Sequence, residues 1–267
     1  MPVKPTPATP SPASTLVLLR NRSGADVEVL LIQRHRASKF AAGDYVFPGG
    51  KIEADDNPPD AAAWCAGLDG ARAAQVLGLD GDRAQALGYW VGAIRESFEE
   101  VGVLLAYGPE GAPARVDHPR FADYRRACHA DNRAFWDMLR AERLRLATDQ
   151  LVYFAHWITP EERPIRFDTR FFAAPMPAGQ EAVADDKEII DVRWLTPAEA
   201  VAALDRKEIS LRTPTQKNLA LFDGAPTVVA ALARLEGRVV STVRPRLVAD
   251  PAGVGERPLM PGDPGYH

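Results

Sequence analysis

The chain has 267 residues, 46% of them hydrophobic and 25% charged, with a formal net charge of −4. That length is ample for a packed core in one large domain or two small ones. The slight acidity argues against nonspecific nucleic-acid binding, and no apolar run is long enough to span a bilayer.

Residues 1–13 are rich in Pro, Thr, Ser and Ala, have no apolar h-region, and read as a disordered tail. Ser14 to Leu19 and Val27 to Arg34 are β-rich runs, joined by Asn21–Asp26, which has hairpin chemistry. Tyr45–Phe47 extends the same sheet. The Ala-rich stretch from Pro58 to about Leu79 predicts one or two helices. Asp80-Gly81-Asp82 then offers an N-cap for a long helix that ends at Gly102. Val103–Ala106 predicts a short strand.

Pro119–Leu144 predicts two helices anchored by Phe121, Tyr124, Phe135, Trp136 and Leu139. Leu151–Ile158, Arg166–Ala174 and Glu188–Leu195 predict strands. Thr196 caps a helix over Pro197–Leu204, and Asn218–Phe222 and Val228–Leu235 predict two more. The tail after Val239 is rich in proline and glycine. Strands and helices mix without regular β-α-β alternation, which predicts an α+β fold with a mixed sheet between helical layers.

Cys65 and Cys128 form no Cys-x-x-Cys and suit free thiols in a reducing cytoplasm. The five histidines show no zinc-ligand spacing. His156 lies in an apolar strand and reads as a packed or hydrogen-bonded core residue.

The chemistry is carried by Arg95-Glu96-Ser97-Phe98-Glu99-Glu100-Val101-Gly102-Val103. On a helix, Glu96, Glu99 and Glu100 share one narrow face at i, i+3 and i+4, and Arg95 reaches Glu99 at i+4. Leu87, Trp90, Val91, Ile94, Phe98 and Val101 share the opposite, core-facing side. Converging carboxylates suit a hard divalent cation, although an acidic stripe is as often a solvated helix face. Upstream, Phe47-Pro48-Gly49-Gly50 reads alone as a turn in which glycine lets backbone approach another group closely.

Together the two segments resemble the two ends of the Nudix box, with Gly50, Arg95, Glu96, Glu99, Glu100, Gly102 and Val103 in register. Asp56 stands where the box carries its first Glu, and Ser97 stands where a hydrophobic residue is usual. A long insertion, about residues 57–85, splits the box, as it does in a coenzyme A diphosphatase-like branch of the Nudix hydrolase family. Leu31–Gly50 is similar to the coenzyme A-type signature of that branch. Arg34, Lys39, Gly43 and Phe47 fall in register, while Ile32 and His35 replace a usual Thr and Ser. Leu259–His267 also resembles the C-terminal segment of this branch.

The resemblance implies an α/β/α Nudix sandwich around a mixed sheet, with a helical insertion and extra helices. Residues 14–240 would form a single domain and 241–267 an extended C-terminal segment. It implies Mg²⁺ or Mn²⁺ held by Glu96, Glu99, Glu100 and the Gly49 carbonyl, with Arg95 as an orienting residue. Glu53 and Asp56 would order the metal loop. Glu100 is the first choice for general base, with Asp185, Asp186 and Glu188 as alternatives. Arg34, Lys39, Gly43 and Phe47 would bind substrate. The implied reaction is hydrolysis of coenzyme A or acyl-coenzyme A to 3′,5′-ADP and (acyl-)4′-phosphopantetheine. ADP-ribose, NADH or another nucleoside diphosphate derivative is the alternative substrate class, and a noncatalytic Nudix-fold binding module the alternative role. A small-molecule nucleotide partner is expected, neither nucleic acid nor membrane is, and a homodimer stays open.

Overall fold

A computed structural model describes residues 6–24, 26–79, 83–250 and 255–266. The elements in chain order are β1 (Ser11–Arg20), β2 (Glu28–Arg34), β3 (Tyr45–Val46), β4 (Gly49–Lys51), α1 (Gly70–Leu77) and α2 (Arg83–Val101). There follow β5 (Ala106–Tyr107), α3 (Arg120–Ala130), α4 (Arg133–Glu142), β6 (Arg145–Leu146), β7 (Val152–Ile158), β8 (Phe167–Pro175) and β9 (Ile189–Leu195). The last are α5 (Pro197–Asp205), α6 (Thr213–Leu219), α7 (Val228–Ala233), β10 (Thr242–Val243), β11 (Arg246–Ala249) and β12 (Glu256–Leu259).

The main sheet has the order β10-β7-β8-β1-β2-β3, with β4 added beside β1 and β9 beside β2. It is mixed: β8 runs parallel to β1 and β10 parallel to β7, while the β1–β2, β2–β9, β1–β4 and β7–β8 pairs are antiparallel. Side chains alternate across it, as the strand period of two requires. Leu16, Leu18, Leu30, Ile32, Phe172 and Ala174 point to a core shared with α1–α4. Val17, Leu19, Val29, Leu31, Phe171 and Ala173 point to a second core with α5 and α7. The result is the expected α/β/α sandwich.

Several boundaries moved. The first strand begins at Ser11, because Ser11–Leu19 pair in parallel with Phe167–Pro175 and draw the end of the expected tail into the sheet. Val103–Leu105 is not strand; only Ala106 and Tyr107 pair, with β6, in a separate two-stranded sheet. The helix expected at Asn218 begins at Thr213, where Pro214 sits in the first turn and needs no intrahelical donor. The proposed Asp80-Gly81-Asp82 cap lies outside the described residues.

Two ends match their chemistry closely. Gly102 (φ +72°) ends α2 in an αL cap, its N–H donating to the Phe98 carbonyl at 2.9 Å, with that of Val103 donating to Ser97 at 3.3 Å. Thr196 and Glu199 form a reciprocal capping box on α5. The insertion folds as a 3₁₀ turn, Ala61–Trp64, followed by α1, which packs along α2.

Candidate active site

The site is built where β4 meets the last turns of α2. Gly50 has to be glycine at this junction: a Cβ there would lie 2.5 Å from Glu96 Oε1. The absent side chain lets β4 run against the acidic face of α2.

Arg95 organises that face. Its guanidinium is buried, and all five N–H donors find oxygen. Nε and Nη2 grip Asp56 at 2.6 and 3.0 Å, and Nη2 also donates to the Lys51 carbonyl at 3.0 Å. Nη1 reaches Glu96 Oε1 at 2.9 Å and Glu99 Oε2 at 3.0 Å. The i, i+4 pairing expected from sequence is therefore formed. Asp56, one methylene shorter than the usual Glu, still reaches because the 3₁₀ turn at Ala54–Asp56 brings it to the helix.

Glu100 is anchored separately. Its Oε2 accepts from the Gly49 N–H at 2.8 Å, and its Oε1 lies 3.4 Å from Arg34 Nη1. Sequence periodicity gave α2 one buried and one acidic face, but Glu99 and Glu100 are themselves buried, at 7% and 2% exposure. The reason is tertiary: β4, Arg34 and α3 cover the acidic side.

Burial raises the proton affinity of all three acids. It pushes Glu96 up to about 7, against the pull of Arg95. Glu99 is raised by burial despite Arg95, and Glu100 is raised well above the usual carboxylate range by burial and by the Glu96 charge. A bound cation would relieve this strain. Glu99 Oε1 is buried and without a hydrogen-bond partner, so it could serve such a cation as an oxygen ligand. Among the described residues no group of three or more Asp, Glu, His or Cys side chains is arranged so that it could hold a metal ion. Arg95 and the Gly49 N–H hold the carboxylate oxygens in the arrangement seen. The donor set is all oxygen and carries excess negative charge, which fits Mg²⁺ or Mn²⁺ rather than a soft metal.

The carboxylates open into a cleft of about 1030 Å³. Arg34, Lys39, Phe47, Gly49, Arg95, Glu96, Glu99 and Glu100 all line it. Gly43 is not among its lining residues; it sits at φ +75° in the β2–β3 turn, donating to the Arg34 carbonyl and accepting from Gln33 Nε2. The two departures from the coenzyme A-type signature carry structural duties. Ile32 is in the core beneath the sheet, and His35 Nδ1 accepts from the Ala37 N–H.

Of the loop acids, Asp185 is occupied, its Oδ1 accepting from the N–H groups of Lys187, Glu188 and Ile189. Asp186 takes up a left-handed conformation (φ +60°) and does not line the cleft, whereas Glu188 does. Glu53 also lines it. His129 and Arg125 on α3 were not foreseen. Arg125 Nε donates to the Glu99 carbonyl at 2.7 Å. His129 lines the cleft, its Nε2 3.5 Å from Asp185 Oδ2 with no closer partner. Neither residue has a motif spacing to the box, so only the fold reveals them. His156 is a buried hydrogen-bonded residue, as expected, between Asp168 and Thr242.

A family model described as the NUDT19 Nudix domain matches residues 80–221, more than half of the chain. The chain belongs to the Nudix hydrolase family. It is 30% identical over 184 residues to the acyl-coenzyme A diphosphatase NUDT19 of Gallus gallus, a match covering 55% of this chain and 48% of that protein. The chain thus spans about half the length of this curated relative. It is also similar to the crystal structure of a Nudix hydrolase from Alicyclobacillus acidocaldarius, with a TM-score of 0.70 and 25% identity over 85% of this chain and 96% of the other. No helix among the described residues is long and apolar enough to cross a membrane.

Proposed function

We propose that this chain hydrolyses the diphosphate linkage of coenzyme A or an acyl-coenzyme A, giving 3′,5′-ADP and (acyl-)4′-phosphopantetheine. The observation that carries the reading is the Arg34–Glu100 contact, which joins the coenzyme A-type signature to the carboxylate helix inside one cleft. The similarity to the chicken acyl-coenzyme A diphosphatase supports the same substrate class.

Glu96, Glu99, Glu100 and the Gly49 carbonyl would hold Mg²⁺ or Mn²⁺. When bound, such an ion neutralises phosphate charge and acidifies water. Arg34 and Lys39 bind the phosphates, Arg bidentately and Lys as a point charge. Glu100 takes a proton from the attacking water as the new P–O bond forms. The anhydride P–O bond breaks, and the proton passes to the departing phosphate. Arg95 touches no reacting atom; it positions Glu96 and Glu99 and keeps them apart.

The test is a substrate panel of coenzyme A, acyl-coenzyme A, ADP-ribose, NADH and a dinucleoside polyphosphate, with Mg²⁺ and with Mn²⁺, products read by mass. Release of 4′-phosphopantetheine or its acyl form as the dominant product is expected. Preference for ADP-ribose or NADH would overturn the substrate assignment. Ligand binding without any turnover would leave a noncatalytic module.

A further inference from the structure

The cleft runs from the carboxylate helix to the β11–β12 hairpin, whose Leu247 and Pro258 line its far end. At the near end one acid comes from outside the box: Glu188, exposed, on the loop that enters β9. Strand pairing sets its place. Ile189 pairs with Arg34, which touches Glu100, and the Glu188 carbonyl accepts from the His35 N–H at 2.7 Å. Burial and the Glu96 charge raise the proton affinity of Glu100, and the Glu188 charge adds to them, so the two carboxylates are near neighbours.

The loop that carries Glu188 is tied down along its length. Gln180 Oε1 accepts from the Leu104 N–H at 2.9 Å, and its Nε2 donates to the Leu104 carbonyl at 3.0 Å. The Val183 N–H donates to the Val101 carbonyl, at the end of α2, at 2.9 Å. Asp185 then folds the last turn. Its side chain is 4% exposed, and its Oδ1 accepts from the N–H groups of Lys187, Glu188 and Ile189 at 3.2, 3.1 and 2.8 Å. The Asp186 N–H closes the turn on the Ile189 carbonyl at 3.1 Å. Asp185 Oδ2 faces His129 Nε2 on α3 at 3.5 Å. Arg125 and His129 share one face of α3 at i and i+4, and Arg125 Nε holds the Glu99 carbonyl at 2.7 Å. One helix therefore sets the loop against the carboxylate helix. An Asp oxygen that gathers successive backbone donors specifies a turn, and this turn directs Glu188 into the cleft.

We propose that Asp185, braced by His129, is a positioning residue that presents Glu188 to the attacking water, and that Glu188 is a catalytic residue that orients this water for Glu100. A water has two hydrogens. Glu100 takes one as the new P–O bond forms. Glu188 accepts a hydrogen bond from the other, which leaves a lone pair aimed at phosphorus. Asp185 touches no reacting atom. The inference rests on the diphosphate hydrolysis proposed above, but not on the choice of coenzyme A as substrate.

The experiment compares kcat and KM at saturating Mg²⁺ for the wild type, Glu188→Ala, Asp185→Ala, Asp185→Asn and the Asp185→Ala/Glu188→Ala double variant. The substrate is whichever member of the panel above the wild type hydrolyses fastest. Glu188 is exposed, so its loss leaves the fold intact. Glu188→Ala is expected to lower kcat by about tenfold or more, with KM within about threefold of wild type. Asp185→Ala should do the same, and Asp185→Asn should recover most of the rate, because its carbonyl oxygen accepts the same N–H groups. In the double variant kcat should fall no further than in Glu188→Ala alone. His129→Ala, a change at the cleft wall, tests the brace in the same way and covers a folding defect in Asp185→Ala: it should lower kcat in the wild type but not in Glu188→Ala. Wild-type kcat in Glu188→Ala overturns the inference. So do losses from Asp185→Ala or His129→Ala that are as large in the Glu188→Ala background as in the wild type, which would mark a merely structural role. A preferred substrate other than coenzyme A overturns the substrate reading alone, and no turnover of any substrate overturns both.

Discussion

Arg95 and Asp56, 39 residues apart in sequence, form a bidentate buried ion pair, with N–O distances of 2.6 and 3.0 Å. The pair closes a box that a helical insertion has split, because it fixes the 3₁₀ turn after β4 to the middle of α2. The same guanidinium holds Glu96 and Glu99, so their placement is tied to that closure, while Glu100 is held separately by the Gly49 N–H.

Removing Asp56 leaves a buried guanidinium with two of its five donors unanswered. Asp56→Ala is expected to destabilise the fold by about 3 kcal/mol, the usual cost of breaking a buried pair from one side. Urea unfolding measures this. A loss below about 1 kcal/mol would show that Glu96 and Glu99 alone satisfy Arg95.

Gly50→Ala tests the close approach of β4 to the helix. The new methyl would sit 2.5 Å from Glu96 Oε1, so strand or carboxylate must move. The expected outcome is a loss of about 1–3 kcal/mol in stability together with a large fall in turnover. Wild-type turnover in this variant would show that the position of Glu96 does not matter to the reaction.

Glu99→Gln and Glu100→Gln keep side-chain shape and remove a charge. Each is expected to lower kcat by about 100-fold or more at saturating Mg²⁺, with circular dichroism unchanged. Near-wild-type rates in both would refute the assignment of these residues to metal binding and proton transfer.

Arg34→Ala is expected to raise KM for coenzyme A by about tenfold, with Arg34→Lys intermediate, because Lys keeps the charge and loses the fork. Since Arg34 also lies 3.4 Å from Glu100, a smaller fall in kcat should accompany it. An unchanged kcat/KM would remove Arg34 from the substrate site.

The acids also predict a pH response. Glu96 is pushed up to about 7, and Glu99 and Glu100 are raised by burial. Between the ordinary Glu value of about 4.3 and about 7, the metal-free folded chain therefore holds more protons than the unfolded one. Its stability from these groups is full below that window and falls as pH rises through it. In EDTA, Tm should decline across this range, and Mg²⁺ should offset the decline. Metal binding near pH 6.5 should release protons, visible as a buffer-dependent heat in calorimetry. No proton release would show that the carboxylates are already ionised in the metal-free chain.

Local pattern carried much of this protein. Strand alternation, the Thr196 cap and Gly102 after Val101 were legible because each depends on neighbours within a few residues. So was the spacing that places Glu96, Glu99 and Glu100 on one helical face. Val103–Leu105 misled because an apolar run predicts a strand only if an edge is there to pair with it, and β6 meets only Ala106 and Tyr107. Burial of the acidic face was equally invisible, since the groups covering it come from β2, β4 and α3.

The sequence by itself determined the kind of site: a carboxylate helix, a Gly-Gly approach and a basic strand end, because residue type and helical period are local properties. Only the tertiary structure decided how they meet. It joined Asp56 to Arg95 and Arg34 to Glu100, set His129 beside the cleft, and placed the C-terminal hairpin at the far end. These contacts link residues far apart in the chain, and their partners are chosen by sheet order and core packing, which no short pattern encodes.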